Sequence, residues 1–228
     1  MKPNVVLINC CPRHIQFANQ LCDSLKGTVN KELNCSFIFI MNEVKDGLEL
    51  IEALKDIGLE EEYSKFTIKS QKIGSLYFNN KYRFELGSLR YFLEFIKKDY
   101  HKQILLTQCS HEFLDYSMFS IIFDESNSEY VLGMTKTYQN YFLKIPIKII
   151  EDCSFANPKT KEDSVKQESR FVKYLINKNV LCKSGVLGNP IIGEIISRFG
   201  RDNQIEENKF FRKWKGTWNT NMIPNAWV

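Results

Sequence analysis

No apolar run in the 228 residues approaches the roughly 18 that a membrane-spanning helix requires. No signal peptide is expected either, because the apolar run within MKPNVVLINCCPRH is too short and reads as the start of a strand. The seven cysteines are odd in number, Cys10 and Cys11 are adjacent, and no Cys-x-x-Cys pair occurs. Neither a disulfide framework nor a structural zinc site is therefore encoded, and the cysteines read as reduced, buried thiols in a cytoplasmic setting. Charge of one sign is also scarce, since 31 Lys and Arg face 27 Asp and Glu for a net +4. A balance that small does not establish nucleic-acid binding. Repeats, low-complexity stretches and linkers are missing as well. What remains, with 43% hydrophobic and 25% charged residues, is an ordinary soluble globular composition. Its richness in Lys, Asn and Ile fits an AT-rich genome, bacterial or viral.

Val5-Val6-Leu7-Ile8 reads as a central parallel strand buried on both faces. Pro12 then opens a helix whose apolar positions are Ile15, Ala18, Leu21, Cys22 and Leu25, with Gly27 closing it. A second strand runs from Cys35 to Asn42. This β-α-β start predicts an α/β fold with a parallel sheet. DGLELIEALKDIGLEEEYSKF is amphipathic and helical, and IKSQKIGSLYFNNKYRF is a loop or hairpin. A helix over 88–98 places Leu89, Phe92, Leu93 and Ile96 on one stripe, with Arg90 and Glu94 off it. A strand over Gln103 to Thr107 and a short helix around YSMFSIIF follow. EYVLGMTKTYQ and FLKIPIKIIEDCSF read as two further strands. Thr160 with Asp163 forms a capping-box pattern at the start of a last long helix. The remainder reads as a helix-and-loop flap, in which NKFFRKWKGTWN either packs its aromatics on the core or meets a polyanion or glycan.

Polar residues collect after three of these strands, at Cys10 to His14, at Asn42-Glu43 and at Gln108 to Glu112. In an open α/β sheet ligands bind beyond the carboxyl ends of the strands, so the three clusters would converge on one pocket edge. Each cluster alone is also what strand-end turn chemistry produces. Pro12-Arg13-His14 at a helix start offers backbone N–H groups and a guanidinium to a phosphate.

LINCCPRHIQFANQLCDSL resembles the opening of GT-A glycosyltransferases, where a strand enters a Pro-Arg or Pro-Lys turn and then a helix. RFELGSLRYFLEFIKKDYHKQILLTQCSHEFLDYSMFSIIF is similar to the stretch of nucleotide-sugar transferases in which Gly and Arg start a helix and a strand ends at the donor-diphosphate and metal site. KEDSVKQESRFVKYL is similar to the Glu-Asp helix start that supplies the base in many inverting members. The resemblance covers roughly residues 4 to 175. It implies a GT-A-like, mostly parallel sheet flanked by helices, and one domain over 1–228. Within it, 1–115 would be the nucleotide-sugar-binding half, and 116–228 the acceptor half with its C-terminal flap. It further implies a hexosyl- or pentosyltransferase that takes a nucleotide-diphosphate sugar as donor.

On this resemblance Cys10, Pro12, Arg13, Asn42 and Glu43 border the base and ribose, and Arg90 approaches the diphosphate. Gln108, Cys109, Ser110 and His111 occupy the place where the family carries Asp-x-Asp, which binds Mg²⁺ or Mn²⁺ and offsets the charge of the leaving diphosphate. This sequence has no Asp-x-Asp. Three options follow. Cys109 and His111 bind a softer metal; or Arg13, Arg90 and C-terminal Lys and Arg stabilise the leaving group without metal; or catalysis has been lost. His111 alone reads equally as a hydrogen-bonded turn residue. Glu162 and Asp163 are the matched base candidates, with Glu151 and Asp152 in reserve. The acceptor, whether glycan, protein or nucleic acid, is not encoded legibly.

Two other classes compete. One is a catalytically degenerate GT-A-like binding protein. The other is a flavodoxin-like NAD(P)H-dependent FMN reductase, whose strand, small-residue, Ser-Pro-Arg, helix pattern VVLINCCPRHIQFANQL also resembles. Asn-Cys-Cys stands there in place of the small residues that let backbone approach the FMN phosphate.

Overall fold

The structure, a computed structural model, describes residues 3–10, 21, 24–25, 32–42, 67–69, 74–79, 81–133, 142–178, 196–199 and 203–216. The expected helices over 12–27 and after residue 45 lie largely outside these, although Leu21, Ser24 and Leu25 are helical.

The described residues build a seven-stranded sheet and a four-stranded one. In chain order the elements of the first half are β1 (Asn4–Cys10), β2 (Cys35–Asn42), β3 (Thr67–Lys69), β4 (Gly74–Asn79), α1 (Phe84–Tyr91), β5 (Gln103–Gln108) and β6 (His111–Phe113). Then come α2 (Ser117–Ile122), β7 (Leu132–Gly133), β8 (Leu143–Pro146), α3 (Ile147–Ile150), α4 (Lys161–Asn177), β9 (Ile196–Phe199), β10 (Asn203–Glu207) and β11 (Phe211–Gly216). The large sheet has the order β3-β4-β2-β1-β5-β8-β7. Its four central strands, β4, β2, β1 and β5, are parallel, and β3, β8 and β7 join antiparallel at the edges. The small sheet is antiparallel in the order β6-β11-β10-β9.

Every residue of β1 is buried, as a strand covered on both faces demands. Because side chains alternate, its apolar residues serve two cores. Val5 and Leu7 join Ile38, Ile40, Ile104 and Leu106 against Leu86, Leu89 and Phe92 of the α1 segment and Phe171 and Leu175 of α4. Val6, Ile8 and Cys10 join Phe37, Phe39, Met41 and Leu105 against Leu21 and Leu25, Phe119 and Ile122 of α2, and Phe113 and Phe211 of the small sheet.

Three local readings change in the folded chain. The helix expected over 88–98 begins at Phe84 and ends in a π-helical turn, Phe92–Ile96, closed by Lys97 N–H donating to Phe92 O at 2.8 Å. Its start carries no local signal, because Asn157 Oδ1, distant in sequence, accepts the Arg83 N–H at 3.1 Å. The apolar run LKIPIKII does not continue as a strand. Pro146 has no N–H for the ladder, and Ile147–Ile150 turns helical behind it. Ile196–Phe199, Asn203–Glu207 and Phe211–Gly216 form strands where a helix-and-loop flap was expected, since β11 pairs with β6 about a hundred residues earlier. Phe210 and Phe211 of NKFFRKWKGTWN pack into the core.

His101, just ahead of β5, is buried beside Phe92 and Tyr100, and its Nδ1 accepts from Lys98 N–H at 3.0 Å. Burial, with help from the Lys98 and Lys97 charges, pushes its pKa below the usual histidine value. As pH falls the unfolded chain therefore takes up this proton first, so stability declines below about pH 6.5 and stops declining once the folded histidine also titrates. Melting temperatures from pH 7 to pH 5 should fall more steeply for the wild type than for His101→Gln. Equal slopes would remove His101 from the acid response.

Candidate functional site at the carboxyl edge of the sheet

The strand order reverses between β1 and β5. The chain runs outward from β1 through β2 to β4, then returns to lay β5 on the other side of β1. Such a switch point opens a crevice between the two strand ends. The ends here are Asn9-Cys10 and Gln108. Asn9 pairs with Gln108, and the ladder goes one step further as Cys109 N–H donates to Asn9 O at 3.0 Å. Two of the three polar clusters, Cys10 and Gln108 to His111, are thus brought side by side, and Asn42 ends the neighbouring β2.

Gln108, Cys109, Ser110 and His111 are all buried. They form the turn that carries the chain from the large sheet into the small one. His111 Nδ1 lies 3.2 Å from Gln108 O and 3.4 Å from Gln108 N, and its ring packs against Phe142 (4.4 Å between centroids) and Phe211 (6.0 Å). That is the geometry of a turn histidine, with one ring nitrogen held by its own turn. A hard divalent cation wants several oxygen ligands. This turn offers an amide, a thiol, a hydroxyl and an imidazole but no carboxylate, and among the described residues no group of three or more His, Cys, Asp or Glu is placed to hold a metal ion. The described residues do not fit a Mg²⁺ or Mn²⁺ centre at this position.

α1 and α4 both start at this edge. The segment ahead of α4 is tied to the turn after β4, with Asn157 Nδ2 donating to Lys81 O at 3.0 Å. At the opposite end of α4, Tyr174 Oη donates to Ile149 O at 2.9 Å, beside the amino end of β5. Glu162 and Asp163 therefore sit at the carboxyl edge of the sheet, in the first turn of α4, both exposed. Asp163 N–H donates to Thr160 Oγ1 at 3.1 Å, as the capping pattern predicts, and Glu162 pairs with Lys166 at 2.7 Å. The reserve pair lies elsewhere. Glu151 is bound to Lys97, and with Asp152 it follows β8 and α3 at the amino edge of β5, away from the crevice.

Arg90 sits in the last turn of α1. Its Nη1 donates to Phe155 O at 2.6 Å, its guanidinium lies 3.9 Å from the centre of the Tyr82 ring, and Glu94 stands 3.9 Å from Nε. Pro12, Arg13 and Glu43 lie outside the described residues.

A row of amides, of which the sequence reading singled out only Asn42, crosses the strand ends. Asn42 Nδ2 donates to Asn9 Oδ1 (2.6 Å), Ser88 Oγ (2.8 Å) and Phe84 O (3.1 Å). Asn79 Nδ2 donates to Asn42 Oδ1 at 2.6 Å, and Ser88 Oγ donates to Asn9 Oδ1 at 2.6 Å. The available signal was an asparagine closing each of three apolar strands, as INC, IMN and YFN.

No family model matches the chain, and no curated protein matches it in sequence. Among solved structures it is similar to the mannosyltransferase PcManGT from Pyrobaculum calidifontis in complex with GDP-Man and Mn²⁺, with a TM-score of 0.54 and 9% sequence identity. The match covers 83% of this chain and 58% of that one. The fold is glycosyltransferase-like. This chain spans little more than half the length of that transferase, and at this identity the likeness is one of fold. The flavodoxin reading requires an all-parallel 2-1-3-4-5 order, whereas β5 here is flanked by antiparallel β8. Among the described residues no helix is long and apolar enough to cross a membrane.

Since Arg90 clamps Phe155 from a half-buried position, Arg90→Ala should lower stability by about 1–2 kcal/mol, from a charge-assisted hydrogen bond and an aromatic stack partly open to water. Urea unfolding measures this. An unchanged midpoint would mean the guanidinium is not held against Phe155 in solution.

Proposed function

We propose that the protein is a glycosyltransferase that takes a nucleotide-diphosphate sugar as donor and a hydroxyl group as acceptor. The observation that carries this reading is the switch point itself, where polar strand ends of β1 and β5 meet in a glycosyltransferase-like fold. In this proposal the donor lies across the carboxyl ends of β2, β1 and β5. Cys10, Pro12, Arg13 and Glu43 belong to its nucleotide side, Gln108, Cys109 and Ser110 to its diphosphate side, and Asn42, buried and engaged by its neighbours, supports the nucleotide side without contact. A single domain over 1–228 is consistent with both sheets mixing the two halves, as β8 pairs with β5 and β11 with β6.

With no carboxylate in the Gln108–His111 turn, a metal at this position has no fitting ligands among the described residues. The leaving diphosphate is then balanced by guanidinium and ammonium groups. Arg90 is engaged with Phe155 and Tyr82, so Arg13 and the C-terminal Lys and Arg residues are the better candidates. In an inverting transfer the acceptor hydroxyl must lose its proton as it attacks, and Glu162 or Asp163, exposed at the carboxyl edge, would take it.

Melting the protein with UDP-glucose, GDP-mannose or FMN, with and without Mn²⁺, tests the donor. A sugar nucleotide should stabilise it without added metal, by about 2.7 kcal/mol at a hundredfold excess over Kd, and FMN should not. Stabilisation by FMN alone would defeat the transferase reading, and an absolute need for Mn²⁺ would defeat the metal-free one.

The base is tested by separate substitutions. Glu162→Gln or Asp163→Asn should lower kcat by at least about a hundredfold with little change in donor affinity. Asp163→Asn should leave the melting temperature near the wild-type value, because the cap is made by Thr160 and the Asp163 backbone. Full turnover in both variants would send the search for a base elsewhere. Sugar-nucleotide binding without turnover in the wild type would instead make the chain a binding protein.

A further inference from the structure

The amide row at the strand ends has a specific task. We infer that Asn42 is a positioning residue, which sets the carboxyl edge for donor binding by acting through Asn9, Ser88 and Phe84 without touching the donor. The inference rests on the transferase reading for its consequence, and on the hydrogen-bond geometry for its mechanism.

Asn42 is 1% exposed and heavily engaged. Its amide nitrogen faces three acceptors, and its oxygen accepts from Asn79. Asn79 is in turn fully buried. Its oxygen accepts the N–H groups of Lys81 and Tyr82 at 3.0 and 2.9 Å, and its nitrogen donates to Tyr82 O at 2.9 Å. The row thus binds the ends of β1, β2 and β4 to one another and to the turn over 81–84. Amides suit this place because each both donates and accepts, so a line of them satisfies itself without charge.

The turn it holds is under strain. Phe84 has φ of 60°, a conformation that is strained for a bulky residue and persists only where the surroundings over-determine it. The surroundings are the Asn42 bond to Phe84 O, the Asn157 bond to Arg83 N–H and the approach of Gly87, where a Cβ would stand 2.9 Å from the Tyr82 carbonyl carbon. Ser88, one residue on, returns the contact to Asn9 at the switch point. Loosening Asn42 therefore frees the strained turn and, through Asn9, the β1 end that faces Gln108.

Two variants test this. Asn42→Asp keeps the shape but removes the donors and places a carboxylate against the oxygens of Asn9 and Phe84. Ser88→Ala is milder, since the direct Asn42–Asn9 bond remains and alanine suits a helix. Hydrogen exchange over residues 81–88 and the Kd for UDP-glucose and GDP-mannose are measured well below each melting temperature. Exchange should quicken at least tenfold in Asn42→Asp, and sooner there than in Ser88→Ala. Donor affinity should fall at least tenfold in Asn42→Asp and several-fold in Ser88→Ala. Relative to wild type at each pH, Asn42→Asp should recover affinity towards acid, because a protonated carboxyl donates one of the missing hydrogen bonds. Unchanged exchange in both variants overturns the mechanism. Faster exchange with unchanged affinity overturns the positioning role. If the wild type binds neither sugar nucleotide, the transferase reading fails, and the exchange rates still decide whether the row holds the turn.

Discussion

Everything in this molecule depends on β1 being buried on both faces while hydrogen-bonded on both edges. A strand in that position has no solvent for its side chains along its length, so they must be apolar, and the polar ones are displaced to its ends. Val5 to Ile8 meet that demand, and the polar Asn4 and Asn9 stand on either side of them. The same constraint applies to β2 and β5, which end in Asn42 and in Thr107-Gln108. The polar edge is a consequence of burying the core.

Once the polar ends are adjacent they must satisfy one another or bind something. At β1, β2 and β4 they do the former, through the amide row and Ser88. At β5 the chain takes a different course. The Gln108–His111 turn leads straight into β6, and the His111 ring is packed against Phe142 and Phe211 where the two sheets meet. This makes the turn a joint between the two sheets. Arg212 secures the small sheet from β11, bonding Glu207 at 2.8 Å and Glu112 at 3.2 Å. Aromatic packing and ion pairs therefore hold the turn where the GT-A resemblance places a metal-bound Asp-x-Asp.

The edges of the sheet sort the acidic residues in the same way. α4 begins at the carboxyl edge and returns to the amino edge, where Tyr174 reaches Ile149. Glu162 and Asp163 are thereby separated from Glu151 and Asp152, although the two pairs look alike in sequence and lie only ten residues apart.

Local pattern determined the buried strands, the amphipathic helix face of Leu89, Phe92 and Ile96, and the Thr160 cap, because each depends on neighbours within a few residues. The polar clusters at the ends of β1, β2 and β5 were legible for the same reason, as breaks in apolar runs. Where the chain lacked a local cause the sequence was silent. The start of α1 at Phe84 rests on Asn42 and Asn157, and β11 rests on pairing with β6. Arg90 looked free because only its own helix face was visible, while its partners Phe155 and Tyr82 come from other segments. Composition and periodicity thus decided which residues would be buried. Only tertiary structure decided which polar groups would meet, because hydrogen bonds between distant strand ends leave no periodic trace along the chain.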